Sequence, residues 1–262
     1  MTQATISHSL AIQFRVIFAL LMREVLTRYG RHNIGFLWLF FEPMIFTLGI
    51  TALWTFTKQT HGSNLPIVAF AVTGYSAVLL WRNMPARCIG SLVPNLSLLY
   101  HRNVRPIDIF AARIFLEAIG GTASFVALCL LFVGLELSSP PESAPKIALG
   151  WALLIWFGGS LAIFLGALSQ QFEVVERFWH PVAYLMFPLS GALFLVEWLP
   201  PAAQRLVLLL PMVHCVELIR EGYFGSHIKA HYDLLYVAGF CSVLTLLALA
   251  QERRASRRLT LD

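Results

Sequence analysis

The stretch GFLWLFFEPMIFTLG, from Gly35 to Gly49, places a glutamate and a proline side by side in an otherwise apolar run. In a helix, Glu42 would lie roughly 12 Å below the start of this run. An acidic side chain near mid-membrane costs about 3 kcal/mol, whereas each Leu, Ile or Phe returns about 0.5 kcal/mol. The run therefore still inserts, but Glu42 must be protonated, paired or turned toward protein or water. Pro43 frees a backbone carbonyl one turn earlier, so both residues indicate an inward-facing side.

The composition of the 262-residue chain is that of an integral membrane protein. Hydrophobic residues make up 58% of the chain and charged residues only 13%, against about 25% charged in soluble domains. A water-soluble fold could not hide so much apolar side chain. No charge run resembles a nucleic-acid-binding arm, so no nucleic-acid partner is expected. The four cysteines lack metal-ligand spacing, so we expect buried thiols and no metal.

The apolar segments predict an all-α membrane protein with one transmembrane domain over residues 1–262 and six membrane-spanning helices. A span needs roughly 20 apolar residues. The predicted spans are 34–57, 65–81, 109–133, 147–169, 181–199 and 232–250. The fifth is slightly short and contains Pro188 and Glu197. The next apolar run is too short to span and is interrupted by Pro211, so residues 200–219 are predicted to form a re-entrant helical hairpin.

The distribution of Lys and Arg predicts the orientation. With a cytoplasmic N-terminus and six crossings, fourteen of these residues fall on the inner side and five on the outer side. This asymmetry satisfies the positive-inside rule. Both termini are therefore predicted to be cytoplasmic.

Residues 1–31 are predicted to form a helix that lies in the cytoplasmic interface. Apolar residues recur at spacings of three and four, at Leu10, Phe14, Ile17, Phe18, Leu21 and Val25. The arginines that interrupt this stripe and would meet lipid headgroups or an anionic substrate are Arg15, Arg23, Arg28 and Arg31. The alternative is a flank that only sets the topology.

The connection from Trp81 to Glu117 predicts a docking element. Ser91–Tyr100 can form a short helix with leucines on one side, too few to insert into the membrane. Asp108 can cap the helix that follows. Arg113 and Glu117 are four residues apart and can pair.

Three runs resemble one family in order along the chain. They are REVLTRYGRHNIGFLWLFFEPM (Arg23–Met44), NLSLLYHRNVRPIDIFAAR (Asn95–Arg113) and LPMVHCVELIREGYFG (Leu210–Gly225). They are similar to the permease subunits of type-2 ABC exporters, and most to those that export capsular polysaccharide. The resemblance implies a homodimer, each copy bound to a separate ATP-hydrolysing subunit, that moves a lipid-linked, usually acidic polysaccharide across the bacterial inner membrane. It also implies periplasmic co-polymerase and outer-membrane export partners.

The resemblance also implies roles for particular residues. The family's gate helix would correspond to residues around Leu10–Tyr29, and its re-entrant helices would fall between Pro200 and Ile219. The coupling helix that contacts the ATPase would include Leu92, Asn95, Leu96, Leu99 and Tyr100. Apart from the resemblance, we expect two copies to face each other so that their first and fifth spans line a path for a sugar chain. Sugar rings stack on aromatic faces, and the predicted lining of the first span consists of Trp38, Phe41, Glu42, Phe46 and Trp54.

The chain contains no G-x-x-x-x-G-K-[ST] phosphate loop. We therefore expect no enzyme activity and no cofactor on this chain, with ATP and Mg²⁺ bound by the partner subunit. The alternatives are export of another lipid-linked glycan, such as O-antigen or teichoic acid, a non-ABC transporter, or an intramembrane enzyme. Against the enzyme, neither H-E-x-x-H nor G-x-S-x-G occurs, and His214 and Glu217, three apart, lack a third metal ligand.

Overall fold

The computed structural model describes residues 6–29, 37–57, 65–99 and 104–259. These ranges contain ten α-helices and no strand. The helices are α1 (Ile6–Tyr29), α2 (Trp38–Thr57), α3 (Ile67–Cys88), α4 (Leu96–Leu99), α5 (Pro106–Gly134), α6 (Ala144–Ser169), α7 (Val174–Met186), α8 (Pro201–Val207), α9 (Pro211–Phe224) and α10 (Leu234–Leu259). Arg31 and Tyr100, both predicted site residues, lie outside the described residues.

Five of these helices are long and apolar enough to cross a membrane. They are α2, α3, α5, α6 and α10, and each overlaps one of the six predicted spans. The all-α class is therefore confirmed. The count rises to six if the bent pair α8 and α9 is one span, so the predicted number of crossings stays a prediction.

Helix α3 lies at the centre of the bundle and packs against α2, α5, α6 and α9. Its Trp81 is buried, with its ring centre 6.2 Å from that of Phe157 in α6. The approach of α6 depends on Gly158, because a Cβ there would lie only 3.1 Å from the Trp81 Cα. Small residues at such positions let membrane helices pack closely.

The prediction that residues 181–199 form one continuous membrane-spanning helix is wrong. The helix in this region, α7, begins earlier, at Val174, and ends at Met186. Residues 187–195 form turns and irregular backbone, with Gly191 at a φ of +82°. A short 3₁₀ helix, Val196–Trp198, follows. Pro188, noted in the sequence, lies two residues beyond the end of α7 and cannot donate a helical hydrogen bond.

Helices α8 and α9 are separated by a short break, at which the chain bends by 106° from one helix to the next. At the start of α9 the His214 Nδ1 accepts the backbone N–H of Asp233, just before α10. Near its end the Tyr223 hydroxyl lies 2.8 Å from the Ser138 hydroxyl, just after α5. Both ends of α9 are therefore held by residues that lie next to the ends of other long helices. The hairpin itself stays a prediction.

Candidate functional site

Ion pairs concentrate at one end of the bundle, where α3 ends at Cys88 and α5 begins at Pro106; we call it the loop end. The Arg87 guanidinium of α3 lies 3.5 Å from the Glu42 carboxylate of α2. It also lies 3.2 Å from Glu117 of α5. Glu117 lies 2.5 Å from Arg28 of α1. The carboxylate inside the first apolar run is thus paired, which is one of the three solutions that the sequence allowed.

The pairing continues along α1. Arg28 lies 3.0 Å from Glu24, and Glu24 lies 3.2 Å from Arg113 of α5. The pair of Arg113 with Glu117 expected from their spacing is replaced by this contact between helices. We refer to Glu24, Arg28, Glu42, Arg87, Arg113 and Glu117 as the ion-pair network. Its three acidic and three basic side chains balance in charge, and all but Glu42 and Arg87 are at most 17% exposed. Partly buried pairs are screened less by solvent than surface pairs.

The predicted entrance arginines have different surroundings. Arg28 is neutralised within the ion-pair network, whereas Arg15 is exposed. Arg23 donates to the Asn95 Oδ1, 2.7 Å away, and so ties α1 to the connection after α3. Gln13 donates to Asp108, which also accepts the Arg105 backbone N–H at 2.8 Å as the predicted cap of α5.

The predicted channel-lining side chains lie on an open face of α2. Trp38, Phe41 and Phe46 are 54%, 46% and 56% exposed. Trp54 is half-buried, with its ring centre 6.3 Å from that of Phe70. The opposite face of α2 buries threonines against the bundle. The Ser124 hydroxyl of α5 donates to the Phe40 carbonyl at 2.7 Å, one residue after the Leu39 carbonyl that Pro43 leaves without its helical donor.

The predicted coupling helix is a 3₁₀ helix, Val93–Asn95, that continues into α4. Leu92 is fully buried in the main core, and Asn95 is buried, so neither offers a contact surface here. Leu99 packs against the same core. Of the predicted residues that the structure describes, Leu96 is the exposed one, beside exposed Val93.

A cleft of about 380 Å³ opens at the loop end between α2, α3 and α7. Its polar lining consists of Glu42, Arg82, Asn83, Arg87, His180 and Tyr184. Arg82 is not among the predicted site residues, because in the sequence it is one of several arginines that flank a span. The sequence offered no signal that α7 would fold back beside it.

A second polar cluster lies deep in the bundle, at the opposite end. The fully buried Arg220 of α9 donates to the carbonyls of Gly191, Ala192 and Phe194 at 2.5 to 2.6 Å. Its guanidinium carbon lies 3.8 Å from the centre of the Phe70 ring. These hydrogen bonds give the carbonyls of the irregular backbone after α7 the partners that buried polar groups need.

Two more polar side chains of α9 bind backbone. The Glu217 carboxylate accepts the N–H groups of Val196 and His231, at 3.2 and 3.0 Å. The His214 Nε2 lies 2.8 Å from the Leu208 carbonyl. No group of three or more metal-ligating side chains occurs in the part of the chain that the structure describes.

The comparisons with known proteins agree over nearly the whole chain. Residues 15–224 match the family model described as ABC-2 type transporter. The chain is 42% identical to the capsule polysaccharide export inner-membrane protein CtrC of Neisseria meningitidis serogroup B, over 95% of this chain and 94% of the relative. It is 40% identical to the capsule polysaccharide export inner-membrane protein BexB of Haemophilus influenzae, over 97% and 96%. The polysialic acid transport protein KpsM of Escherichia coli is 24% identical over 92% and 94%. The chain therefore belongs to the ABC-2 type transporter family of membrane proteins.

Proposed function

We propose that this chain is the membrane-spanning subunit of an ATP-driven exporter that moves lipid-linked, acidic capsular polysaccharide across the bacterial inner membrane. The observation that carries the proposal is the similarity to CtrC and BexB, which covers more than nine-tenths of both chains. Similarity of this extent leaves no large domain of either relative without a counterpart here.

The proposed assembly is a homodimer with a separate ATP-binding subunit that holds ATP and Mg²⁺. Two surfaces support it. The exposed face of α2 is apolar and aromatic over several turns, at Trp38, Phe41, Ile45 and Phe46, and the open faces of two copies could enclose a path for a sugar chain. At the loop end, Val93 and Leu96 are exposed beside buried Leu92. They form a small apolar surface on which an ATP-binding subunit can dock.

The contacts of α1 suggest how docking would move the permease. Arg23 ties α1 to Asn95 in the docking element. Arg28 ties α1 to Glu117, and Arg87 joins Glu117 to Glu42 on α2. A push on the docking element would therefore reach α2 through charged contacts between helices. In this proposal the chain itself catalyses no reaction.

The remaining features complete the proposal. The chain crosses the inner membrane six times, with α7 and the irregular segment that follows it, as far as Trp198, as the fifth crossing. Both termini lie in the cytoplasm, α1 lies in the cytoplasmic interface, and α8 and α9 are re-entrant. Periplasmic and outer-membrane proteins continue the export. Export of another lipid-linked glycan by the same mechanism is the alternative that family membership leaves open.

Deletion of the gene in its capsulated host tests the function and the substrate together. We expect capsule to disappear from the surface while lipid-linked polysaccharide accumulates in the cytoplasm, with restoration by the wild-type gene. A deletion strain that keeps its capsule but loses another surface glycan would show that the alternative substrate is correct. Normal export of every surface glycan would refute the proposal.

A further inference from the structure

We propose that the cleft between α2, α3 and α7 at the loop end binds an oxyanion, and that Arg82 is its principal ligand. The inference rests on the proposed function, because it assigns the anionic group of the exported molecule to this cleft. Both a lipid phosphate and a sugar carboxylate have the required chemistry.

The charge balance of the cleft is the first argument. The ion-pair network contains three acidic and three basic side chains, so Arg87 is already compensated by Glu42 and Glu117. Arg82 has no acidic partner among the described residues, and its guanidinium carbon lies 5.2 Å from the centre of the Tyr184 ring. The N–H groups of a guanidinium lie in its own plane, so stacking on an aromatic ring leaves them available to donate hydrogen bonds to a ligand. Arg82 therefore adds one uncompensated positive charge to the cleft.

The other polar groups of the lining include side chains that can donate hydrogen bonds, at Asn83, His180 and Tyr184. Asn83 contributes an amide, and the cleft is also lined by Trp179. Trp179 is 8% exposed, and its indole N–H has no hydrogen-bond partner among the described residues. A buried unpaired donor is unusual in a folded protein. Glu42 provides the one carboxylate in the lining. A partly buried Arg82 beside the Asn83 amide is suited to a phosphate or a carboxylate, both of which accept forked hydrogen bonds.

The position of Glu42 suggests that a bound oxyanion would replace Glu42 as a partner of Arg87. The Arg87–Glu42 contact, at 3.5 Å, is longer than the Arg87–Glu117 contact, at 3.2 Å. An oxyanion beside Arg82 would compete with Glu42 for Arg87 and leave the Glu117 pair in place. One turn along the same side of α2, Phe46 is 56% exposed and can contact the sugar or hydrocarbon part of the same molecule.

Binding to the complete permease with its ATP-binding subunit, in nanodiscs of phosphatidylcholine, tests the site. The two probes are dihexanoyl-phosphatidylglycerol, which carries a lipid phosphate, and trigalacturonate, which carries sugar carboxylates; galactotriose is the neutral control. We expect Arg82→Ala to weaken binding of the recognised anion at least about tenfold, because hydrogen bonds to charged groups are at stake. Arg82→Lys should bind with intermediate affinity. Glu42→Gln should bind about threefold tighter or more, because a competing charge is removed.

The matched control is Arg205→Ala, which removes an exposed arginine of α8 outside the cleft and should bind like the wild type. Loss of phosphatidylglycerol binding in Arg82→Ala identifies a lipid phosphate, and loss of trigalacturonate binding identifies a sugar carboxylate; either supports the site. Equal binding of both anions by the wild type and Arg82→Ala, or no tighter binding by Glu42→Gln, would overturn it. Such a result would leave the proposed function intact, since that fails only if the deletion strain exports its glycans normally.

Discussion

Replacement of Arg220 by methionine should strongly destabilise the protein. The change removes a fully buried guanidinium and keeps an unbranched side chain in α9. It leaves the carbonyls of Gly191, Ala192 and Phe194 without the donors that now lie 2.5 to 2.6 Å away. Each unsatisfied buried acceptor costs about 1–3 kcal/mol. Relief of the desolvation of a buried cation offsets several kcal/mol of this total. We expect a net loss of about 3 kcal/mol.

For a chain of this size, about 3 kcal/mol corresponds to a decrease in Tm of roughly 6–12 °C. The assay is thermal unfolding in detergent with a thiol-reactive dye, because Cys88, Cys215 and Cys241 are buried and become reactive on unfolding. Arg220→Lys should lower the Tm less, since it keeps a charge and some donors but loses the planar fork. The control Arg205→Met, at an exposed position of α8, should change the Tm little. A Tm within about 2 °C of wild type for Arg220→Met would refute the assignment of Arg220 as the support of this backbone.

Three further outcomes follow from the same contacts. Gly74→Ala should lower the Tm by several degrees, because its Cβ would lie 2.6 Å from the Ala192 carbonyl oxygen, whereas Gly239→Ala, with no atom within 4 Å, should leave it unchanged or raise it slightly. Glu117→Gln should lower the Tm by about 2–8 °C, because it removes a carboxylate that two arginines share. The control Glu173→Gln, in an exposed pair, should have little effect on the Tm. Equal Tm values for these two variants would contradict a stabilising role of the ion-pair network. Leu96→Asp should abolish co-purification with the ATP-binding subunit without changing the Tm, and an intact complex would show that the docking surface lies elsewhere.

The long apolar helices could be predicted from the sequence because membrane insertion depends on local composition. Five predicted spans each correspond to a described long helix. The segment 181–199 was mispredicted because its apolar length suggested one helix, whereas Arg220, distant in sequence, satisfies an irregular backbone there. Such a contact is visible only once α9 is folded against α3.

The polar sites were harder to predict than the spans. For Glu42 the sequence left protonation, pairing and a turn toward protein or water open, because its partner Arg87 lies on another helix. The leucine pattern of the docking element predicted a single apolar side, yet Leu92 is buried and Leu96 is exposed, because Leu92 belongs to the main hydrophobic core. Nothing in the sequence marked Arg82 as a site residue, because it becomes part of a cleft only when α7 packs nearby.

The most direct test of the central claim is polymer transport in proteoliposomes that contain this chain with or without its ATP-binding subunit. We expect lipid-linked capsular polysaccharide to cross the bilayer only when both subunits and ATP are present. A catalytically inactive ATP-binding subunit should reduce transport to background. Transport or ATP hydrolysis by this chain alone would contradict the account.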